Sequence, residues 1–64
     1  MSAIDRMEKI NGMPARYLGD GVYAVFDGSG VWLHANDAHN PTDRVYLEPS
    51  VFEALRLFVK DCNE

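Results

Sequence analysis

Sixty-four residues, nearly half of them apolar and a quarter charged, suffice for one small core and exclude a second domain as well as a disordered or fibrous chain. A formal net charge of −4 disfavours direct binding of nucleic-acid phosphates, which needs Lys and Arg to displace counterions, and points instead to a partner with a basic protein surface. The only cysteine is Cys62, so no intrachain disulfide can form, and no apolar run approaches the roughly 20 residues of a membrane span; a single domain over residues 1–64 in a reducing cytoplasm is the expectation.

Along the chain, Ser2 and Asp5 make a weak capping pair, and Ile4, Met7 and Ile10 recur at helical spacing before Asn11-Gly12. That spacing predicts a short N-terminal helix, or otherwise an extended arm, with the glycine as its stop. Met13-Pro14 predicts a break in regular structure. Arg16-Tyr17-Leu18 reads as a short strand, joined by a three-residue Gly19-Asp20-Gly21 loop to the next, with Leu18 opposite Val22 and Tyr17 opposite Tyr23.

The central feature is a pair of apolar runs flanking Asp27-Gly28-Ser29-Gly30, a two-residue hairpin turn whose first central residue needs positive φ. With Asp27 opposite Gly30, Phe26 faces Val31, Val25 faces Trp32, Ala24 faces Leu33 and Tyr23 faces His34. One sheet surface then carries Val22, Ala24, Phe26, Val31, Leu33 and Ala35, the expected core; the other carries Tyr17, Tyr23, Val25, Trp32 and His34. Residues 36–43 form a polar loop expected to be mobile at its tip. Arg44-Val45-Tyr46-Leu47 resumes the alternation, with Val45 and Leu47 on the core side.

The C-terminal segment is the clearest helix. Pro49 suits its first position, Leu47 can staple onto Phe52 across a cap at Glu48, and Ser50 with Glu53 offers a competing capping box. Val51, Phe52, Ala54, Leu55, Phe58, Val59 and Cys62 gather on one face. That face is expected to cover the sheet, with Phe52, Leu55 and Phe58 against Phe26, Val31 and Leu33. The fold class is therefore α+β, an antiparallel three- to four-stranded β-meander packed on a C-terminal α-helix.

Chemistry-bearing constellations are sparse. His34, Asp37 and His39 are the nearest approach to a metal-ligand set, without a second cysteine or a well-spaced carboxylate, so no metal or cofactor is expected. Ser2, Ser29 and Ser50 read as cap, turn and cap, and neither glycine-rich turn opens a helix that would receive a phosphate. The expectation is a protein that is not an enzyme. Two surfaces remain as partner-binding candidates. One is aromatic, centred on Tyr23 and Trp32, and is either covered by the N-terminal segment or open to a protein partner. The other is acidic: the meander places Asp20, Asp37 and Asp43 at one end of the sheet and Asp27 and Glu48 at the other, with Glu53 at an edge. Carboxylates at such intervals are a solvated surface, or they mimic phosphates toward a basic channel.

The string Tyr17-Leu-Gly-Asp-Gly-Val-Tyr-Ala-Val-Phe-Asp-Gly, then Val31-Trp-Leu, then Leu47-Glu-Pro-Ser-Val-Phe-Glu-Ala-Leu, resembles a family of very small proteins of bacteriophages and prophages. The resemblance implies the strand-rich fold with its closing helix and a life in the host bacterial cytoplasm. Small, acidic, non-enzymatic phage proteins of this kind are similar to anti-CRISPR proteins that block a Cascade-type surveillance complex. By that likeness the partner is a host protein or nucleoprotein complex with a basic surface, bound by a monomer or weak homodimer, with no membrane and no direct nucleic-acid contact.

Overall fold

In the computed structural model, which describes residues 8–63, Asn11 and Gly12 both take left-handed backbone, with φ of 52° and 81°. Two consecutive positive φ angles are what a two-residue hairpin turn of the primed type requires. Asn11-Gly12 therefore does not stop a helix; it joins strand β1 (Glu8–Ile10) to β2 (Met13–Gly19), with Ile10 facing Met13. The expected N-terminal helix is corrected over residues 8–10, which are strand, and its earlier part lies outside the described residues. Pro14 is accommodated inside β2 because pairing with the next strand begins only at Ala15, so its missing amide interrupts no ladder on that side.

The second turn is also tighter than the sequence suggests. Asp20 and Gly21 take φ of 53° and 79°, closing a two-residue connection to β3 (Val22–Phe26) with Gly19, not Leu18, opposite Val22. Tyr17 still faces Tyr23, so Leu18 is the extra residue of a bulge. The third hairpin follows the expected register throughout: Gly28 has φ of 96°, Asp27 N donates to Gly30 O at 3.2 Å, and β3 pairs with β4 (Val31–Ala35) from Phe26–Val31 to Val22–Ala35. β5 (Arg44–Leu47) completes a five-stranded antiparallel sheet in the order β1-β2-β3-β4-β5.

Strand pleat then decides which side is inside, and it is the side opposite to the one expected. Val25, at 1 % exposure, forms the core with Ile10 and Ala15, and Met13, Trp32 and Ala38 pack against it. All the strand residues among these alternate onto the face of Tyr23 and His34. Two elements close that face. β1 brings Ile10 to it, and the 36–43 loop folds over it, because the buried His34 ring donates from Nδ1 to the Ala38 carbonyl oxygen at 2.8 Å. One face of the meander is aliphatic and the other aromatic, and both hold enough apolar surface to form a core, so the element that covers a face determines which one does.

The element expected to cover the aliphatic face is α1 (Pro49–Cys62), and it does not. None of its residues is buried: Val51, Phe52, Leu55, Phe58 and Val59 are all exposed, as is the thiol-bearing Cys62. Its contacts with the sheet concentrate on β5, the strand it follows. The reason lies in the connection. Glu48 alone separates Leu47 from Pro49, in extended backbone with φ of −61° and ψ of 158°, whereas strand-to-helix reversals usually use about two to six residues. Pro49 occupies the helix start as expected, but Ser50 lies inside the helix and Glu53 pairs with Arg56, so the alternative capping box does not form. The result is an α+β fold of a five-stranded meander and one C-terminal helix that leaves the sheet. Its radius of gyration is 12.8 Å, against about 10.7 Å for a compact chain of this length.

Candidate functional site

The alternation of turns sorts the acidic residues as topology requires. The β2–β3 turn and the β4–β5 loop share one end of the sheet, where Asn36 N donates to Gly21 O at 2.6 Å and Ala35 N to Asp43 O at 3.0 Å. Asp20, Asp37 and Asp43 are therefore gathered on one rim, all exposed. Asp27 sits in the β3–β4 turn at the opposite rim with Glu48, which follows Leu47, the partner of Val31. Glu53 lies on α1 and is engaged by Arg56. Among the described residues that is the ion pair present, and no Lys or Arg pairs with Asp20, Asp37 or Asp43.

These carboxylates are not equivalent. Asp37 Oδ1 accepts hydrogen bonds from the backbone amides of Asn40 and His39 at 2.9 and 2.8 Å, which hold its pKa below the usual carboxylate value. Asp27 Oδ1 does the same for Gly30 and Ser29 at 2.8 and 2.9 Å, with the same consequence. Both are thus turn-forming acceptors that remain ionised and hold their loops. In the 36–43 loop the Asp37 bonds are joined by Thr42 N to Ala35 O at 3.1 Å and Asn36 Nδ2 to Thr42 Oγ1 at 2.8 Å. The loop expected to be mobile at its tip is tied by these bonds at both its base and its tip. Asp20 and Asp43 accept none of the side-chain hydrogen bonds found among the described residues, so their charges face solvent.

The aromatic candidates sit on the covered face, half-buried. Tyr23 packs on Tyr17 with ring centroids 4.8 Å apart, and Trp32 on Tyr46 at 4.7 Å, with the Arg44 guanidinium 6.0 Å from the Trp32 centroid. These are the tilted and cation-π geometries that the ring quadrupole favours. Tyr46 lies at a desolvated spot near Asp27, and both effects raise its pKa. Of this set Tyr17 is the most open, at 54 % exposure, and its hydroxyl accepts a hydrogen bond from Gly21 N at 3.1 Å.

The aliphatic face, the expected core, is outside. Leu18, Phe26 and Val45 stand exposed on the aliphatic face, where Pro14, Arg16, Ala24 and Val31 line a shallow groove beside Leu18 and Phe26. The signal for this was present in the sequence as the single residue between Leu47 and Pro49. Among the described residues no three His, Cys, Asp or Glu side chains come within reach of one metal ion. No helix of the described chain is long and apolar enough to cross a membrane. Comparison of the chain with protein-family models, with curated proteins and with solved structures finds no match.

Proposed function

We propose that this protein works by stoichiometric binding, without catalysis or cofactor, and that its acidic rim directs it to a basic surface on another protein. The observation that carries the reading is the rim itself: Asp20, Asp37 and Asp43 are exposed at one end of the sheet and unpaired by Lys or Arg among the described residues. Held on a hydrogen-bonded scaffold, such charges steer association with a positive patch and lose little entropy on contact. The resemblance to small phage proteins extends the proposal to its finer form, an inhibitor of a host defence complex. Its most concrete version is an anti-CRISPR protein that occupies the DNA-binding surface of a Cascade-type complex and so blocks target binding.

Asp20 and Asp43 are the residues to alter, because Asp37 is also needed by its loop. Asp20→Asn keeps a residue type that tolerates left-handed backbone, and Asp43→Lys reverses a solvent-facing charge. In a competition between the protein and target DNA for a purified Cascade-type complex, the wild type displaces DNA, and its direct binding to the complex, measured without DNA, weakens as salt rises. The double variant, folded by circular dichroism, weakens displacement at least about tenfold, as expected when charges that steer and contact a basic surface are removed. Equal displacement by both proteins, or none by the wild type, contradicts the reading. The half-buried packing of Trp32 and Tyr23 leaves the aromatic face a smaller offering to a partner than an open sheet presents.

A further inference from the structure

Two apolar surfaces of this chain are uncovered at once, and they have complementary shapes. One is the aliphatic side of the meander, with Leu18, Phe26 and Val45 protruding around Ala24, Val31 and Leu33. The other is the stripe of Val51, Phe52, Leu55, Phe58 and Val59 along α1. A sheet face and an amphipathic helix are the two halves of an ordinary α/β layer contact. Within one chain they do not close on each other, because the single linking residue Glu48 is extended and Pro49 fixes the start of the helix. Large apolar side chains exposed together on one face mark an interaction surface.

We propose that a second copy of this chain covers both surfaces, each protomer laying α1 across the aliphatic sheet face of the other. The area fits. Aromatic side chains bury about 150–250 Å² each and aliphatic ones less, so at 41–63 % exposure the eight protruding residues leave on the order of 600 Å² per protomer, which with the polar rim around them approaches the roughly 800 Å² per partner of a standard stable interface. The symmetry fits as well. A reciprocal exchange repeats one helix-on-sheet contact twice about a two-fold axis and closes, leaving neither surface over. A foreign partner would have to supply both a helix-like and a sheet-like surface, whereas a second copy carries both. Short strand-to-helix links that prevent self-closure are the known route to exchanged elements. The inference stands on the apolar faces alone and is independent of the acidic rim.

Sedimentation equilibrium across the micromolar range, with two variants, tests it. The wild type is expected at twice its 7.2 kDa chain mass. Phe26→Asp on the sheet and Phe58→Asp on the helix lie away from the Val25 core, so each should keep the strand signal in circular dichroism. Each removes a buried aromatic at both symmetry-related contacts and should weaken the dimer at least about 100-fold, giving monomers. The decisive sample is their equimolar mixture. In an exchanged dimer one contact then joins the intact helix of the Phe26→Asp chain to the intact sheet of the Phe58→Asp chain, so dimers reappear in the mixture. A monomeric wild type overturns the proposal. So does a dimeric wild type whose variants stay dimeric on their own, since another surface would then join the copies, and so does one whose variants remain monomeric when mixed, since each face would then meet its own kind rather than the other.

Discussion

His34 on β4 donates from Nδ1 to the carbonyl oxygen of Ala38, 2.8 Å away, and the bond draws the 36–43 loop over the covered face of the sheet. It satisfies a buried ring nitrogen and a loop carbonyl together, and Ala38 reaches the Val25 core on its account. His34→Ala removes the bond and leaves a void where the buried ring stood. It is expected to cost about 2–4 kcal/mol, from lost packing and an unpaired carbonyl. Urea denaturation measures the loss, and amide exchange should show residues 36–43 opening ahead of the strands.

Gly30 is fixed by close approach. It is buried, and a Cβ there would lie 2.6 Å from both the Leu47 carbonyl oxygen and the Tyr46 ring. A backbone atom cannot yield as a flexible side chain can. Gly30→Ala is therefore expected to lower stability by about 1–3 kcal/mol, with a smaller thermal midpoint shift for Ser29→Ala, whose side chain is exposed.

Acid should loosen both ends of the sheet together. Asp27 and Asp37 titrate below the ordinary carboxylate value of 3.8 because their ionised oxygens accept backbone amides. A group whose folded pKa is depressed stabilises the fold fully above its unfolded pKa and ceases to do so as pH falls through the folded value. Stability measured by urea titration should hold from neutral pH to about pH 4 and decline below it. Asp27→Ala should be less stable than the wild type at pH 7 and lose less on acidification.

Much of the fold is legible in the sequence. Asp27-Gly28-Ser29-Gly30 set the β3–β4 register correctly because its turn chemistry admits one geometry, and Pro49 marked the start of α1. Asn11-Gly12 carried an equally strong hairpin signal, but the periodic Ile4, Met7 and Ile10 favoured a helix, and β1 went unseen. Turn chemistry outranks a three-residue periodicity when both φ angles must be positive. The acidic rims were readable too, since alternating turns of a meander fall at alternating ends. The inside of the sheet was not. Leu33 belongs to the aliphatic face and Val25 to the aromatic one, so pattern favours the wrong side, and what overrides it is a loop hydrogen bond and the one-residue link at Glu48. Local pattern weighs neither.

Two identical substitutions on opposite faces decide which side of the sheet is the core, and the open aliphatic surface depends on that side. Val25 is 1 % exposed and Val45 is 56 % exposed, so Val25→Ala and Val45→Ala delete the same atoms from inside and outside. At concentrations low enough to keep the chain monomeric, urea unfolding should show a loss of about 1.5–3 kcal/mol for Val25→Ala and within about 0.5 kcal/mol of no change for Val45→Ala. Equal losses, or a larger one at Val45, would contradict the account.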